Sequence, residues 1–182
     1  MSRRKEILDA AALLLETQGP QALTMRSLAS ALGIRASSLY KHIENKDDVE
    51  LGLQERALVL MGRHLSSTGD DVPDIAAAYR GWAKENPRLY ELATRQPLCR
   101  DQLAPGVEAA AAAAIVAAAG GDEHVARSLW ALAHGLVDLE LSGRFPPGAD
   151  IDETWRTAFA AFSGQPVTGS GRPGCSPPRA SR

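Results

Sequence analysis

Side chains that can bind phosphates and the edges of nucleic-acid bases are concentrated in one stretch near the N-terminus. Between Arg35 and His42 the chain carries two serines, a tyrosine, a lysine and an arginine within eight residues. Hydroxyl, guanidinium and ammonium groups donate hydrogen bonds to phosphate oxygens, and serine and lysine also reach base edges in the major groove of DNA. The residue types and their spacing therefore indicate nucleic-acid binding rather than catalysis.

Two short helices joined by a tight turn are predicted to position these side chains. Thr24 can cap the first helix, Gly33 supplies the backbone freedom that the turn needs, and the second helix runs from about Arg35 to His42. The apolar residues recur at helical spacing and would form the core of the pair: Leu28, Ala29, Leu32, Ile34, Leu39 and Ile43. Two helices in this arrangement make a helix-turn-helix, whose second helix can lie in the major groove.

This stretch resembles the DNA-binding domain of the tetracycline-repressor (TetR) family of transcriptional regulators. The matching residues are Thr24, Leu28-Ala29, Leu32-Gly33-Ile34, Ser38-Leu39-Tyr40, His42 and Asn45-Lys46-Asp47, whereas Ile43 stands where many members carry Phe. The resemblance implies that one set of residues contacts phosphates, namely Thr24, Arg26, Tyr40, His42 and Lys46. It implies that a second set faces bases or backbone, namely Arg35, Ala36, Ser37, Ser38 and Lys41. The alternative is an exposed polar helix in an unrelated helical protein.

Charged residues also mark the helix ends next to this stretch. Arg3, Arg4 and Lys5 open the first predicted helix, where they could either contact phosphates or form a solvated, frayed end. Asn45 and Asp48 are spaced as an acidic capping box at the start of the next helix, and a carboxylate there also favours the helix dipole.

Length and composition describe an ordinary globular chain with an uneven distribution of charge. Of the 182 residues, 45% are hydrophobic and 23% are charged, and no apolar run is long enough for a membrane span. Residues 1–46 carry seven basic and four acidic side chains, whereas residues 47–163 carry ten basic and 18 acidic ones. This distribution suits a small DNA-binding part joined to a larger part that avoids DNA. Cys99 and Cys175 form no metal-type cluster, and we expect a reduced, cytoplasmic setting without a secretory signal.

The chain is predicted to be α-helical up to about residue 162. Spacing and capping residues predict helices over 3–18, 46–65, 74–85, 87–93, 105–119 and 122–142, and a last one after Asp150. The helix over 105–119 is nearly all alanine, so it must lie close against its neighbours or flank a space. We expect an all-α protein in three parts: a helix-turn-helix DNA-binding domain over 1–46, a helical effector-binding and dimerisation domain over 47–163, and a disordered tail over 164–182.

The C-terminal helices resemble one TetR subgroup, which is named for its Trp, His and Gly positions. The segments that carry this resemblance are Tyr79 to Leu92 and Leu129 to Leu136. It implies an inducer pocket in which the alanine-rich helix leaves room, and six side chains are candidates for its lining: Met61, Tyr79, Trp82, Tyr90, Trp130 and His134. The alternative for each residue is an ordinary place in the core, and for His134 a structural hydrogen bond.

The last two predicted helices carry more apolar surface than a monomer usually exposes. In TetR-like proteins the corresponding pair forms a four-helix dimer interface, which makes five residues candidates for contact with a second copy: Leu132, Leu136, Trp155, Phe159 and Phe162. They could instead fill the core of their own chain. Gly135 within a helix costs about 1 kcal/mol relative to alanine, and close approach of another helix would offset that cost.

No arrangement of residues predicts catalysis, a cofactor or a metal site. The sequence lacks His-x-x-x-His and Cys-x-x-Cys spacings, a Gly-x-Ser-x-Gly elbow and a Gly-x-x-x-x-Gly-Lys phosphate loop. The acidic pairs near Asp70 and Asp150 are explained as helix caps. The prediction is a ligand-responsive repressor that binds a near-palindromic DNA operator as a homodimer and answers to a small-molecule effector, with no membrane partner. A stand-alone helical ligand binder and a small helical enzyme are the alternatives.

Overall fold

The computed structural model describes residues 2–162, and within that range every regular element is helical. In this part of the chain nine α-helices follow one another: α1 (Arg3–Gln18), α2 (Met25–Ala31), α3 (Ala36–Leu39), α4 (Lys46–Ser66), α5 (Val72–Glu85), α6 (Pro87–Arg95), α7 (Val107–Ala118), α8 (Glu123–Leu141) and α9 (Ile151–Ala160). None of these helices is long and apolar enough to cross a bilayer. The all-α prediction is confirmed, whereas the predicted tail over 164–182 and Cys175 lie outside the described residues.

The first three helices pack around a shared apolar core and form what we call the head (α1 to α3). The helix α1 has the predicted bounds and buries Ile7, Ala11 and Leu15 almost completely. The helices α2 and α3 contribute Leu28 and Leu39, which are equally shielded from solvent. Burial of apolar surface is the main source of stability here, at about 25 cal/mol per Å² removed from water.

The turn between α2 and α3 forms as its glycine predicts. Gly33 has a φ of +63°, a left-handed conformation that residues with a Cβ atom disfavour. The cap predicted for α2 is present as well, because the hydroxyl oxygen of Thr24 accepts a hydrogen bond from the amide of Ser27 at 3.1 Å.

The prediction for α3 is wrong at its C-terminal end, because the helix spans Ala36–Leu39 and does not reach His42. The amides of His42 and Ile43 both donate to the carbonyl oxygen of Leu39, at 2.8 and 3.0 Å. This tight turn carries Ile43 into the core, where it is 1% exposed. Residues 40–42 therefore follow the helix as a turn.

The helix α4 is the longest of the described helices and joins the head to the remaining helices, α5 to α9, which we call the body. Its predicted cap is present, since Oδ1 of Asn45 accepts from the amide of Asp48 at 2.9 Å. The capping box is not completed: the carboxylate of Asp48 accepts from the amide of Glu44 rather than from that of Asn45. Beyond its first turns α4 packs against α1, α5, α6 and α7.

The alanine-rich helix α7 lies directly against α4. A Cβ atom placed on Gly62 of α4 would come within 2.8 Å of the Cα atom of Ala111 in α7, closer than two carbon atoms approach without bonding. Small side chains let the two backbones come together, so that dispersion contacts form along the whole interface. Of the two possibilities that the sequence offered for this helix, close packing is realised on the side of α7 that faces α4.

The start of α5 differs from the prediction because of its cap. The helix begins at Val72 rather than at Asp74, since Oδ1 of Asp71 accepts a hydrogen bond from the amide of Asp74 at 2.8 Å. Pro73 fits in the first turn, where its missing amide hydrogen is not needed.

The start of α6 is capped from another helix. The side-chain amide of Asn86 donates back to the carbonyl of Trp82 at 3.0 Å and does not cap α6. Glu16 of α1 takes that place, because its carboxylate accepts from the amides of Arg88 and Leu89 at 3.4 and 2.7 Å. The head and the body thus meet through a charged side chain that satisfies backbone groups.

Ion pairs hold α5, α8 and α9 together. Arg80 binds both oxygens of Glu140, at 2.7 and 2.9 Å, and reaches Asp152 at 2.7 Å, while Lys84 adds a second cation to Glu140 at 2.7 Å. Burial alone would raise the pKa of Glu140. The hydrogen bonds and charges of Arg80 and Lys84 together lower that pKa by more than burial raises it, so the pKa lies below its ordinary value. The carboxylate therefore remains charged at neutral pH and keeps the three helices joined.

Candidate functional site

The ten candidate DNA-contacting residues lie at the start of α2, on α3 and its following turn, and at the start of α4. Nine of the ten side chains are exposed and Ser38 is half-buried. The apolar residues of the same segments, Leu28, Leu39 and Ile43, face the core. The helix-turn-helix thus presents its polar side chains to solvent.

Three of these residues are cations without a carboxylate partner. Across residues 2–162, no ion pair involves Arg26, Arg35 or Lys41. No carboxylate of the described residues neutralises their charges, so these side chains can attract phosphate groups.

Two of the other candidates make contacts within the chain. Lys46 lies 3.0 Å from the carboxylate of Glu50, one turn further along α4. The hydroxyl of Thr24 caps α2 and also lies 2.7 Å from the hydroxyl of Ser27. A phosphate that approached Lys46 would compete with an exposed ion pair, which contributes little stability.

The basic end of α1 is neither frayed nor free. Arg3 pairs with Glu6 at 2.6 Å and Lys5 pairs with Asp9 at 2.8 Å, both along the surface of α1. Arg4 pairs instead with Asp48 of α4, at 2.7 Å. Neither alternative from the sequence describes Arg4, because the partner of its guanidinium lies 44 positions away in the chain.

The pair of Arg4 and Asp48 also contacts the segment that follows α3. Arg4 reaches the two carboxylate oxygens of Asp48 at 3.1 and 2.7 Å, and its Nη1 lies 3.4 Å from the carbonyl oxygen of His42. The hydrogen bond from Arg4 holds the pKa of the Asp48 carboxyl below its ordinary range, and Asp48 in turn raises the pKa of Arg4. Both groups are therefore charged throughout the neutral range.

Four of the six candidate ligand-binding residues lie together in the body. The hydroxyl of Tyr90 is 3.2 Å from that of Tyr79 and 2.6 Å from Nδ1 of His134. Trp130 stacks on His134, with ring centroids 6.0 Å apart and an interplanar angle of 24°. Met61 and Trp82 are not part of this hydrogen-bonded and stacked set.

The space beside this aromatic cluster (Tyr79, Tyr90, Trp130 and His134) is too small for a ligand. A small cavity bounded by Tyr79, Trp130 and apolar residues of α5, α7, α8 and α9 has a volume of about 10 Å³, which is about one water molecule. Burial raises the pKa of the hydroxyl groups of Tyr79 and Tyr90, so both stay protonated and can donate hydrogen bonds. A ligand would have to displace side chains here in order to bind.

The candidate interface residues divide into two groups. Leu136, Trp155 and Phe159 are 9%, 6% and 3% exposed, because they pack inside their own chain, whereas Leu132 and Phe162 are half-buried. The outer face of α8 instead exposes Ala131, Gly135 and Leu139, four residues apart. Sequence reasoning missed Ala131 and Leu139, although their spacing from Gly135 places all three on one face of a helix.

An open groove between the head and the loop after α6 was also not predicted. It has a volume of about 1070 Å³ and runs between Tyr40 to Asn45 on one side and Gln96, Pro97 and Cys99 on the other. Four acidic and two basic side chains line it: Glu44, Asp47, Asp48 and Glu50, with Arg4 and Lys41. The two sides are distant in sequence, and no local pattern marks them.

Two family models match the chain and together span most of the described residues. Residues 7–50 match the model of the bacterial regulatory proteins of the tetR family, and residues 72–162 match that of the tetracyclin repressor-like C-terminal domain. The second match alone covers half of the 182-residue chain.

Known proteins agree with this assignment. The chain is 30% identical over 154 residues to an uncharacterised helix-turn-helix-type transcriptional regulator, Rv0681 of Mycobacterium tuberculosis, with 77% of this chain and 71% of the relative covered. It is 27% identical over 171 residues to the regulator YobS of Bacillus subtilis, covering 87% of this chain and 90% of the relative.

Solved structures share the fold. The multidrug binding protein EbrR, in complex with imidazole, superposes with a TM-score of 0.64 at 24% identity, over 91% of this chain and 92% of that one. BioQ with its double-stranded DNA operator superposes with a TM-score of 0.59 at 18% identity, over 91% of this chain and all of that one. From the two matched models and the relative in Mycobacterium tuberculosis it follows that the chain belongs to the TetR family of transcriptional regulators, with a DNA-binding helix-turn-helix near its N-terminus.

Proposed function

We propose that this regulator is a ligand-responsive repressor that binds a near-palindromic operator as a homodimer. The observation that carries the proposal is the exposed polar surface of the head, on which Arg26, Arg35 and Lys41 have no carboxylate partner within residues 2–162. Unpaired cations at a helix of this kind attract phosphates and orient the helix in the major groove. In the division proposed, residues 1–46 bind DNA and residues 47–163 bind the effector and the second subunit.

The proposed contacts follow from where each side chain lies. Near the start of α2, at the turn after α3 and at the start of α4, five residues would hold phosphates: Thr24, Arg26, Tyr40, His42 and Lys46. The exposed face of α3 and its two flanks would approach the bases or the backbone with Arg35, Ala36, Ser37, Ser38 and Lys41. The structure of BioQ with its operator supports this proposal by analogy, because that protein has the same fold and binds duplex DNA.

The proposed dimer would form through the exposed face of α8 and the adjoining part of α9. Ala131 and Gly135 leave little bulk on α8, so a second copy of the helix could approach closely there, and Leu139 adds exposed apolar surface. Leu132 and Phe162 would border the contact. Leu136, Trp155 and Phe159 would support this face from within the protomer. Two-fold symmetry would then set the two copies of α3 about 34 to 36 Å apart, one turn of the DNA helix.

The proposed effector site is the aromatic cluster. Tyr79 and Tyr90 offer hydroxyl groups in an apolar surrounding, and Trp130 is 47% exposed above them, so a small molecule could enter by moving one side chain. Met61 and Trp82 would line the enlarged site, whose helices resemble the Trp-His-Gly subgroup. EbrR, which has this fold and is named a multidrug binding protein, supports the idea of a small-molecule effector.

The response to the effector would pass along α4. This helix is packed against α6 and α7 in the body and begins at the head, so a shift of the body helices changes the distance between the two copies of α3. A preference of about 1 to 3 kcal/mol for the non-binding arrangement alters occupancy about 5- to 150-fold. Because its proposed partner is chromosomal DNA, the protein would act in the cytoplasm, and it would need no enzymatic step.

Selection of bound fragments from random-sequence DNA with the purified protein tests the proposal. We expect a two-fold symmetric site, with half-sites one helical turn or a multiple apart. Arg35→Gln should weaken binding to that site by about tenfold, since an unpaired cation next to DNA is lost.

Arg63→Gln is the matched control for this experiment. Arg63 is also exposed and unpaired within the described residues, but it lies roughly 25 Å along α4 from Lys46 at 1.5 Å per residue. Equal effects of the two substitutions would contradict the proposed contact surface. A protein that selects no DNA sequence would contradict the proposed function.

A further inference from the structure

We propose that Arg4 and Asp48 are positioning residues for DNA recognition, whose ion pair holds the segment carrying Tyr40, Lys41 and His42 in the orientation that DNA binding requires. The inference rests on the proposed contacts of that segment. In this proposal, Arg4 and Asp48, which are not among the proposed DNA-contacting residues, determine the orientation of the segment.

The segment needs an external support because the helix before it is short. The helix α3 consists of Ala36–Leu39, a single turn, and residues 40–45 are not helical. Three of the proposed contacts therefore lie beyond the helix end, where no run of main-chain hydrogen bonds fixes the direction of the side chains. Within the segment itself, only the turn back to Leu39 and the burial of Ile43 restrain it.

The ion pair binds the backbone of this segment from both sides. Nη1 of Arg4 lies 3.4 Å from the carbonyl oxygen of His42, and Oδ2 of Asp48 accepts from the amide of Glu44 at 3.0 Å. These are the main-chain groups on either side of the buried Ile43. The carbonyl and the amide that would otherwise face solvent are thus held by one charged pair.

The same pair is anchored in two helices. Arg4 lies in the first turn of α1 and Asp48 in the first turn of α4, and the two guanidinium contacts of 3.1 and 2.7 Å form a planar, two-point bond. Such a bond fixes direction as well as distance, which a single-point contact does not. The C-terminal end of the proposed DNA-contacting segment is therefore fixed relative to both α1 and α4.

Arg4 is engaged differently from the basic residues beside it. Arg3 pairs within α1, with Glu6 three positions on, whereas Arg4 pairs with Asp48 of another helix. The side chain of Glu6 is 35% exposed and that of Asp48 is 21% exposed. The donors Nη1 and Nη2 of Arg4 are directed at Asp48 and His42, so its charge is neutralised before DNA arrives. Three of the five N–H donors of Arg4 are engaged in this way, so a direct phosphate contact from Arg4 would compete with the pair for the same guanidinium.

A positioning role and a purely electrostatic role predict opposite results at Asp48. A carboxylate close to DNA repels phosphates, so its removal should strengthen binding if charge alone matters. If Asp48 orients the segment, its removal should weaken binding. The sign of the change decides between the two roles.

The experiment compares Asp48→Asn and Arg4→Lys with wild type in the full-length protein. The probe is the duplex selected by the wild-type protein from random DNA, and a random duplex of equal length is the reference. We expect both variants to bind the selected duplex at least about tenfold more weakly, because each substitution removes the two-point bond. Arg4→Lys keeps the positive charge of residue 4, so its loss of affinity would not be due to a loss of charge. The affinity for the random duplex should change less, and the slope of log affinity against log salt should stay that of wild type.

The controls are the neighbouring residues of the same type. Asp47 is exposed and has no ion pair within residues 2–162, so Asp47→Asn removes the same charge without touching the segment. Arg3→Lys makes the same exchange as Arg4→Lys beside it. Both controls should stay within about twofold of wild type, with any change in Asp47→Asn towards tighter binding.

Three results would overturn the positioning role: wild-type or tighter binding by Asp48→Asn, wild-type binding by Arg4→Lys, or an equal loss on selected and random duplexes. Thermal unfolding followed by circular dichroism separates misfolding from misorientation, and if Asp48→Asn unfolds at the assay temperature, Arg4→Lys decides the question. A wild-type protein that prefers no sequence would instead overturn the proposed operator binding, which is a different failure.

Discussion

At the scale of single residues, the hydroxyl of Tyr90 is a buried polar group of the body with two partners. It lies between the hydroxyl of Tyr79 and Nδ1 of His134, at 3.2 and 2.6 Å, and Tyr90 itself is 2% exposed. A hydroxyl can donate one hydrogen bond and accept others. The hydroxyl of Tyr90 on α6 therefore links α6 to both α5 and α8 through hydrogen bonds. The sequence offered two roles for His134, a structural hydrogen bond and a ligand contact, and the hydrogen bond is present.

Tyr90→Phe tests how much this shared hydroxyl contributes. The variant removes a partner from both Tyr79 and His134 in a nearly dry surrounding, so the free energy of unfolding should fall by about 1 to 3 kcal/mol in urea denaturation. Tyr40→Phe is the matched control, because Tyr40 is 54% exposed, and its effect should stay within about 0.5 kcal/mol. Equal losses in the two variants would contradict the role given to the Tyr90 hydroxyl.

At the scale of elements, the head and the body are joined by reciprocal capping between α1 and α6. Glu16 of α1 accepts from the first amides of α6, and Arg88 of α6 donates to the carbonyl oxygens of Leu15 and Glu16, at 3.3 and 3.1 Å. Each helix thus satisfies main-chain groups at the end of the other, where a helix has no partners of its own. Since α6 also carries Tyr90, a displacement of α6 strains contacts in both parts.

The close packing of α4 against α7 can be tested with a pair of glycine substitutions. Gly62→Ala places a Cβ atom 2.8 Å from the backbone of Ala111, so it should lower the free energy of unfolding by about 1 to 3 kcal/mol. Gly81→Ala meets nothing within 4 Å in α5 and should raise stability by about 0.5 to 1 kcal/mol through helix propensity. Chemical denaturation measures both, and a stabilising Gly62→Ala would show that α7 can move away from α4.

At the scale of the whole molecule, charge is distributed unevenly along the chain. Residues 1–46 carry an excess of basic side chains and residues 47–163 an excess of acidic ones, so the head attracts a polyanion more strongly than the body does. Ala131, Gly135 and Leu139 are exposed on one face of α8, where no other helix of residues 2–162 covers them. A second copy on this face would give the two heads the fixed separation that a two-fold operator needs.

Gly135→Leu tests the proposed assembly. A Cβ atom on Gly135 meets nothing within 4 Å in the protomer, so the larger side chain should leave the subunit folded and obstruct the approach of a second α8. Sedimentation should then show a shift towards monomer, and affinity for a two-fold symmetric duplex should fall because each half-site is bound alone. Gly81→Leu, at a glycine with the same free space, should remain dimeric. If Gly135→Leu remains a dimer, the interface does not lie on this face of α8.

Most of the helices, and the exposure of the candidate DNA-contacting residues, could be predicted from the sequence, because the signals are local. The bounds of α1, the caps by Thr24, Asn45 and Asp150, and the glycine turn at Gly33 each depend on residues within four positions of one another. The outward direction of the polar residues near α3 follows from the same periodicity, since the apolar positions must face the core.

The tertiary structure decided what depends on groups distant in sequence. It paired Arg4 with Asp48 rather than with solvent, gave the cap of α6 to Glu16 rather than to Asn86, and brought α7 directly against α4. It also turned Trp155 and Phe159 inward and left Ala131 and Leu139 exposed. Spacing along a helix predicts which residues share a face, but which other backbone or charge meets that face depends on how closely whole helices can pack, and that is a property of the assembled core.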